Sequence, residues 1–272
     1  MSNNYSLLLT PYSLPMTRVI SVINYKGGVG KTTTVINTAA GLAREGARVL
    51  CIDLDPQGSL AVCLGVKSPY TSADLLLGHE VPERCIVSAR PNLDVIVSNH
   101  DLQRAEGQLW RMPDERIARR VLYYTMRPIK TYDYVFLDCS HSISILTHNA
   151  LLYAQELIIP VATDYLSMVG TRQVLDTLKE IGRIPDHRLR LTAVVPTMYY
   201  ERRRKDREVM DLLNYYFKGK VTAPIRSNVR LPEATSRQKT IFEYDPRSYG
   251  AVDYAALVQW VKEAENQLGV AS

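Results

Sequence analysis

Short β-branched apolar runs alternate along this chain with segments whose apolar residues recur every three or four positions. The run RVISVI (18–23) stops at a glycine-rich loop, and the next segment places Ile36, Ala39, Ala40 and Ala43 at helical spacing before a second strand-like run, ARVLCIDLD (47–55). Strand, glycine loop, helix, strand is the opening of an α/β protein with a parallel sheet. Further strands are predicted at 93–97, 132–139, 156–161 and 189–195, mostly continuous apolar runs that suit a sheet buried on both faces. Helical patterns fall at 114–126, 144–154, 167–181, 202–217 and 250–268. Residues 65–92 and 219–249 are less periodic and richer in Pro, Gly and charge, so loops over one edge are expected there. No linker divides the chain, which predicts one domain over 18–268, preceded by a flexible arm (1–17) and followed by a short tail (269–272).

Composition narrows this little. The 272 residues, 46% hydrophobic and 22% charged, are those of a folding globular chain, not a disordered one. A net charge of +5 is compatible with an anionic partner without requiring one. The four cysteines form no CxxC pair, and two lie in or beside apolar runs, so buried reduced thiols are expected. No apolar run reaches the ~18 residues of a spanning helix, and the first residues lack the pattern of a signal peptide, so a cytoplasmic protein without membrane attachment is expected.

The chemistry lies in YKGGVGKTTT (25–34). The pattern GxxxxGK[ST] fails at its first glycine, where Tyr25 stands, and KGGxGK[ST]T takes its place. The mechanism survives the change. Gly27, Gly28 and Gly30, with Val29 between them, let backbone N–H groups turn toward phosphate oxygens. Lys31 reaches the terminal phosphates, Thr32 offers its hydroxyl to Mg²⁺, and Thr33 continues into a helix whose N-terminal field favours anions. Lys26 is a second lysine that one phosphate site does not need.

This loop with Lys26, DLDPQG (53–58), YDYVFLDC (132–139) and LPEATSRQKTIFEYDPRSYGAVDY (231–254) together resemble the ParA/Soj group of deviant Walker A ATPases, the partition or cargo-positioning branch of the ParA/MinD superfamily, over about residues 18–265. The resemblance implies a single-domain P-loop NTPase fold with a mostly parallel central sheet flanked by helices, and ATP and Mg²⁺ as cofactors. It implies that Lys26 reaches across an ATP-bound sandwich homodimer to the partner's nucleotide. Asp55 would position or activate the attacking water, Asp53 would support the metal site, and Asp138 would hold Mg²⁺ directly or through water. Pro196, Pro232, Glu233 and Ala234 match regions around the adenine. The family's short residue and two prolines after the last Asp are replaced by DCSHSI, which removes two fixed φ angles and is expected to loosen that segment. His141 there is either a phosphate or partner contact or an exposed polar residue.

ERRRKDRE (201–208) places Arg202, Arg203, Arg204, Lys205 and Arg207 at the start of a predicted helix, against its dipole. Arg204 with Glu208 and Arg202 with Asp206 are spaced to pair on the surface. Arg226, Arg230, Arg237, Lys239 and Arg247 form a second group. The resemblance implies that such residues bind double-stranded DNA without base preference in the ATP-bound dimer, through phosphate contacts. The expected function is a slow, dimerisation-dependent ATP hydrolase that associates with the nucleoid, is stimulated by a ParB-like or other adaptor, and drives plasmid or chromosome partition. The alternatives are positioning of a protein cargo such as carboxysomes or chemotaxis clusters, and a membrane-associated Min-like regulator of division-site placement.

Overall fold

The computed structural model of the protein describes residues 17–182, 184 and 187–266. The expected arm, except Thr17, and the expected tail lie outside them. The elements run β1 (Arg18–Val22), α1 (Lys31–Arg44), β2 (Val49–Leu54), α2 (Ser59–Leu64), α3 (Ser72–Leu77), α4 (Pro82–Cys85), β3 (Ile86–Arg90), β4 (Leu93–Ile96), α5 (Asp101–Leu109), α6 (Glu115–Ala118) and α7 (Val121–Met126). They continue through β5 (Tyr134–Cys139), α8 (Ile145–Tyr153), β6 (Glu156–Ala162), α9 (Tyr165–Ile181), β7 (Arg190–Thr197), α10 (Arg204–Tyr216), α11 (Arg230–Ser236), α12 (Ile241–Tyr244) and α13 (Tyr249–Asn266).

Seven strands form one sheet in the order β3-β4-β2-β5-β1-β6-β7. All neighbouring pairs are parallel except β3 with β4, so this is a mostly parallel α/β sheet flanked by helices, as expected. Successive residues of a strand feed opposite cores: Leu50 and Ile52 pack on one face, Val49 and Cys51 on the other. Both faces are covered, which is why the runs read as continuously apolar. Helices α3 to α10 supply the first face; α1, α2 and α11 to α13 supply the second. No helix among the described residues is long and apolar enough to cross a membrane.

Several boundaries differ from the sequence expectation. The segment expected as loop at 65–92 contains α3, whose Thr71 and Asp74 form a capping box, and the half-buried edge strand β3, whose burial gives no clean apolar alternation. Residues 219–249 contain α11 and α12. Helix α5 went unpredicted, and the helix expected over 114–126 breaks into α6 and α7 at Arg120, where φ is −124° and ψ 11°.

The outer edge of β7 is not bare. Residues 220–227 run beside it, with Val194 N–H donating to the Lys220 carbonyl (2.7 Å) and Thr222 and Ile225 N–H donating to the Val194 and Pro196 carbonyls (3.0 and 2.8 Å). At the opposite edge β3 is short, and its register shifts between Ser88 and Arg90.

Candidate functional site

The site lies where β1, β2 and β5 end. Register places Asp138 of β5 opposite Val22 of β1 on one side and Asp53 of β2 on the other, so the two carboxylates are neighbours beneath the glycine loop. Pairing of residues 85 positions apart decides this, and no local pattern shows it.

The loop is shaped by two left-handed glycines, Gly28 (φ 74°) and Gly30 (φ 87°), the second forming the N-cap of α1. A Cβ on Gly27 or Gly28 would meet nothing within 4 Å, so the loop borders open space of the kind a phosphate group fills. Two residues missed by the sequence reading hold this loop. Asn24 donates to the Pro160 carbonyl (2.8 Å) and accepts from Lys26 N–H (3.0 Å), and the Thr197 hydroxyl donates to the Val29 carbonyl (2.9 Å).

The two lysines differ in kind. Lys31 is 8% exposed, and its ammonium donates to the Lys26 carbonyl (3.2 Å). Burial pulls its pKa below the usual lysine value, opposed by the charges of Asp138, Cys139 and Asp55. Lys26 stands at the loop's mouth, with its ammonium 2.7 Å from the Asp164 carboxylate just after β6.

The carboxylates also differ. Both oxygens of Asp138 are buried without a hydrogen-bond partner among the described residues. Burial pushes this carboxyl up to about 7, while the nearby Thr32 hydroxyl and Lys31 ammonium pull the other way. A buried, unsatisfied carboxylate beside a threonine hydroxyl fits a divalent cation. No group of three or more His, Cys, Asp or Glu side chains able to hold a metal forms among the described residues, so such an ion would draw most of its ligands from phosphate and water, as Mg²⁺ commonly does.

Asp53, expected beside the metal, is otherwise engaged. Its Oδ1 accepts from Asp55 N–H and its Oδ2 from Leu60 N–H, both at 3.0 Å, which offsets the cost of burying that carboxylate between strands. It therefore anchors the 55–60 turn. Burial and the Asp138 charge hold its pKa well above the usual carboxylate range. Asp55 is half-buried and caps its own turn by accepting from Gln57 N–H (2.9 Å). Gly58 there has φ 63°, and a Cβ would stand 2.5 Å from the Ser98 carbonyl, so only glycine fits against the end of β4.

Within DCSHSI the Ser140 and Ser142 hydroxyls bond each other (3.0 Å); just after it Ser144 caps α8, and from α8 the Thr147 hydroxyl donates back to the Ser142 carbonyl (2.8 Å). Hydroxyl bonds thus restrain the segment expected to be loose. His141 is exposed. The Cys139 thiol lies 3.2 Å from the Ser21 hydroxyl, and burial pushes it up to about 12.

Beside the loop opens a cavity of about 590 Å³, lined in part by Thr33, Met198, Ile225, Asn228, Leu231 and Pro232. Its volume and apolar walls suit a nucleobase and sugar. Of the residues expected around an adenine, Pro232 lines it, while Pro196, Glu233 and Ala234 do not. Ala234 turns into the core, and Glu233 is drawn away by Arg230 and the Tyr244 hydroxyl.

The basic residues divide. Arg202, Arg237, Lys239 and Arg247 are exposed and make no ion pair among the described residues, and Arg203 stacks on Tyr200 with its guanidinium 3.6 Å from the ring centre. Arg207 donates to the Glu201 carbonyl (3.5 Å), and Arg204 pairs with Glu208 (2.8 Å), as its spacing suggested. Two expected phosphate contacts are engaged in ion pairs: Arg226 is gripped by both oxygens of Asp253 and stacks on Tyr249, and Arg230 reaches Glu233 and Asp245. The expected Arg202–Asp206 pair does not form, because Asp206 points inward and Lys205 lies beside it at 3.6 Å.

This fold and loop define a P-loop nucleoside triphosphatase of the deviant Walker A type, marked by the second lysine. A family model described as an AAA domain matches residues 17–191. The chain is 37% identical over 253 residues to the sporulation initiation inhibitor protein Soj of Bacillus subtilis, covering 90% of this chain and 98% of that one. It is 39% identical over 245 residues to the chromosome-partitioning ATPase Soj of Thermus thermophilus, covering 90% and 95%. Among solved structures, a cobyrinic acid a,c-diamide synthase from Mycobacterium smegmatis with bound ATP analogue and magnesium superposes with a TM-score of 0.79 at 30% identity, covering 92% of this chain and 96% of that one. The chain belongs to the ParA/Soj/MinD superfamily of deviant Walker A ATPases, in its partition and positioning branch.

Proposed function

We propose that this protein is an Mg²⁺-dependent ATP hydrolase that works as a switch: ATP assembles a homodimer, the dimer binds DNA without base preference, and hydrolysis releases it, so that DNA is partitioned. The observation that carries this reading is the pairing of a buried lysine, Lys31, with a second lysine at the loop mouth, above a buried Asp138 whose oxygens meet no geometric hydrogen bond among the described residues and have only the Thr32 hydroxyl and Lys31 ammonium nearby.

In this reading the N–H groups of the glycine loop and Lys31 bind the phosphates, and Lys26 serves the partner's nucleotide. Asp138 and the Thr32 hydroxyl would hold Mg²⁺, which when bound gathers charge on the transferring phosphoryl oxygens. Asp55 orients the attacking water, with its backbone fixed by Asp53. Arg202, Arg203, Arg207, Arg237, Lys239 and Arg247 are the cations best placed for DNA phosphates. A ParB-like adaptor stimulates hydrolysis, and the protein works in the cytoplasm on the nucleoid.

The test is binding to a random-sequence duplex with ATP, with ADP and without nucleotide, at ~50 and ~200 mM salt, beside Lys26→Ala. Phosphate contacts predict a loss of roughly 10³-fold or more across that salt range if about six cations engage. ATP-specific, salt-steep binding lost in Lys26→Ala is expected. Binding indifferent to nucleotide and to Lys26 overturns the reading.

A further inference from the structure

Asp206 lies inside the run Arg202–Arg207, where every neighbour is a cation, yet it turns inward from the arginines, with only the Lys205 ammonium beside its Oδ1 at 3.6 Å. It is 1% exposed; its Oδ2 accepts from the Thr163 hydroxyl (3.1 Å) and from Tyr200 N–H (2.8 Å), and its Oδ1 finds no hydrogen-bond partner among the described residues. Burying a carboxylate with one oxygen lacking a hydrogen bond is costly, and the exposed Lys205 ammonium 3.6 Å away offsets only part of that cost. Capping α10 does not require it, since an acid exposed in the first turn relieves the same dipole. What burial adds is a bond to Thr163, a residue 43 positions away.

Thr163 is followed by Asp164, the residue that holds Lys26. Two consecutive residues at the end of β6 therefore grip the loop lysine on one side and the turn bearing the arginines on the other. Thr163 also reaches the base cavity. Its N–H donates to the Thr197 carbonyl (3.0 Å), and its hydroxyl lies 3.3 Å from the carbonyl of Met198, which lines that cavity at φ +56°, a conformation uncommon outside glycine. On the far side, Tyr200, whose N–H Asp206 accepts, carries the stacked guanidinium of Arg203.

We infer that Asp206, acting through Thr163, is a positioning residue that couples the state of Lys26 to the placement of the Arg202–Arg207 cluster. When Lys26 leaves Asp164 for a partner's phosphate, the 163–164 turn shifts and carries the basic end of α10 with it. The nucleotide thereby sets the presentation of the arginines without touching them. This rests on the reading of that cluster as a DNA contact.

The full chain is compared with Thr163→Val, Asp206→Ala and Asp206→Asn, the last keeping an acceptor for Thr163. Two contrasts between a nonhydrolysable ATP analogue and ADP, each with Mg²⁺, are read: the rate of tryptic cleavage at Arg202, Arg203, Arg204 and Arg207, resolved by mass spectrometry, and the affinity for random duplex DNA. The wild type is expected to show a contrast of about fivefold or more in each, Thr163→Val and Asp206→Ala to fall within about twofold of none, and Asp206→Asn to retain it. Thermal melting and nucleotide affinity guard the comparison, and if Asp206→Ala does not fold, Thr163→Val decides. A wild-type contrast retained in Thr163→Val, with or without a lower melting temperature, marks Asp206 as a structural cap and overturns the coupling, as does a wild type without a cleavage contrast. A cleavage contrast that behaves as expected while no form binds DNA leaves the coupling standing and removes the DNA reading instead.

Discussion

Replacing Asp164 with asparagine removes the charge that holds Lys26 inside its own protomer. The pair is 2.7 Å long, with side chains 31% and 38% exposed, so water screens it in part. Exposed ion pairs contribute about 0.2–1 kcal/mol. A two-fold dimer in which both lysines cross must break two such pairs, so their removal favours assembly by about 0.4–2 kcal/mol. At 1.4 kcal/mol per factor of ten, this lowers the dimer dissociation constant by roughly 2- to 30-fold. Sedimentation velocity over a concentration series, with Mg²⁺ and a nonhydrolysable ATP analogue, measures it directly. Lys26→Ala is expected to remain monomeric in the same series. If Asp164→Asn assembles no more tightly than wild type, or if the gain persists in a Lys26→Ala background, the pair does not restrain the lysine and the reasoning is wrong.

Other consequences are equally concrete. Glu156 is buried between Arg18 (2.6 Å), Arg190 and Thr192; burial raises its pKa, but the arginines and the Thr192 hydroxyl outweigh this and hold it below the usual value. Its stabilisation is therefore complete above about pH 4.3 and lost as pH falls through the lower folded value, so Glu156→Gln should cost about 3–5 kcal/mol at neutral pH in a denaturant titration and flatten the acid limb. Asp138 has the opposite sign. Without metal the native state keeps a proton that the unfolded chain releases near pH 4, so stability falls as pH rises from about 4 to 7. Asp138→Asn should lessen that slope in melting curves taken with chelator, the buried Asp53 keeping its own share, while lowering phosphate release with Mg²⁺ by about a hundredfold or more. A Cβ on Gly41 of α1 would stand 2.4 Å from a methyl of Val258 and 3.3 Å from Phe242. Gly41→Ala should therefore lower stability by about 1–2 kcal/mol despite its better helix propensity, and an unchanged melting temperature would show that α13 yields there.

The parts of this molecule legible in its sequence are those in which near neighbours do the work. The glycine loop, its lysines and the start of α1 form one contiguous stretch, and the continuous apolar runs marked the central strands. Contacts across the chain were not legible. Asp53 and Asp138 meet only through β2–β5 register, and there one becomes a backbone anchor while the other makes no hydrogen bond among the described residues. Asp206 read as a surface partner for Arg202 because i,i+4 spacing does not reveal which face of α10 lies against Thr163. Arg226 read as a free cation because Asp253 is distant in sequence, whereas the i,i+3 partner of Arg230, Glu233, was legible and was assigned to the base instead. Strand β3 was missed because an edge strand is half wet and carries little apolar signal.

The guarded margins of the sheet bear on how copies of this chain meet. Residues 220–227 satisfy backbone groups of β7 that a foreign strand would need, and β3 offers a short, irregular rim. Strand addition, an association that requires no cofactor and is hard to reverse, is thus discouraged at both ends. In the proposed switch, assembly falls to the rim of the nucleotide cleft, where complementarity depends on a molecule that the protein itself destroys. A lifetime for each assembly follows if that proposal holds: the dimer lasts only as long as its own chemistry has not yet run.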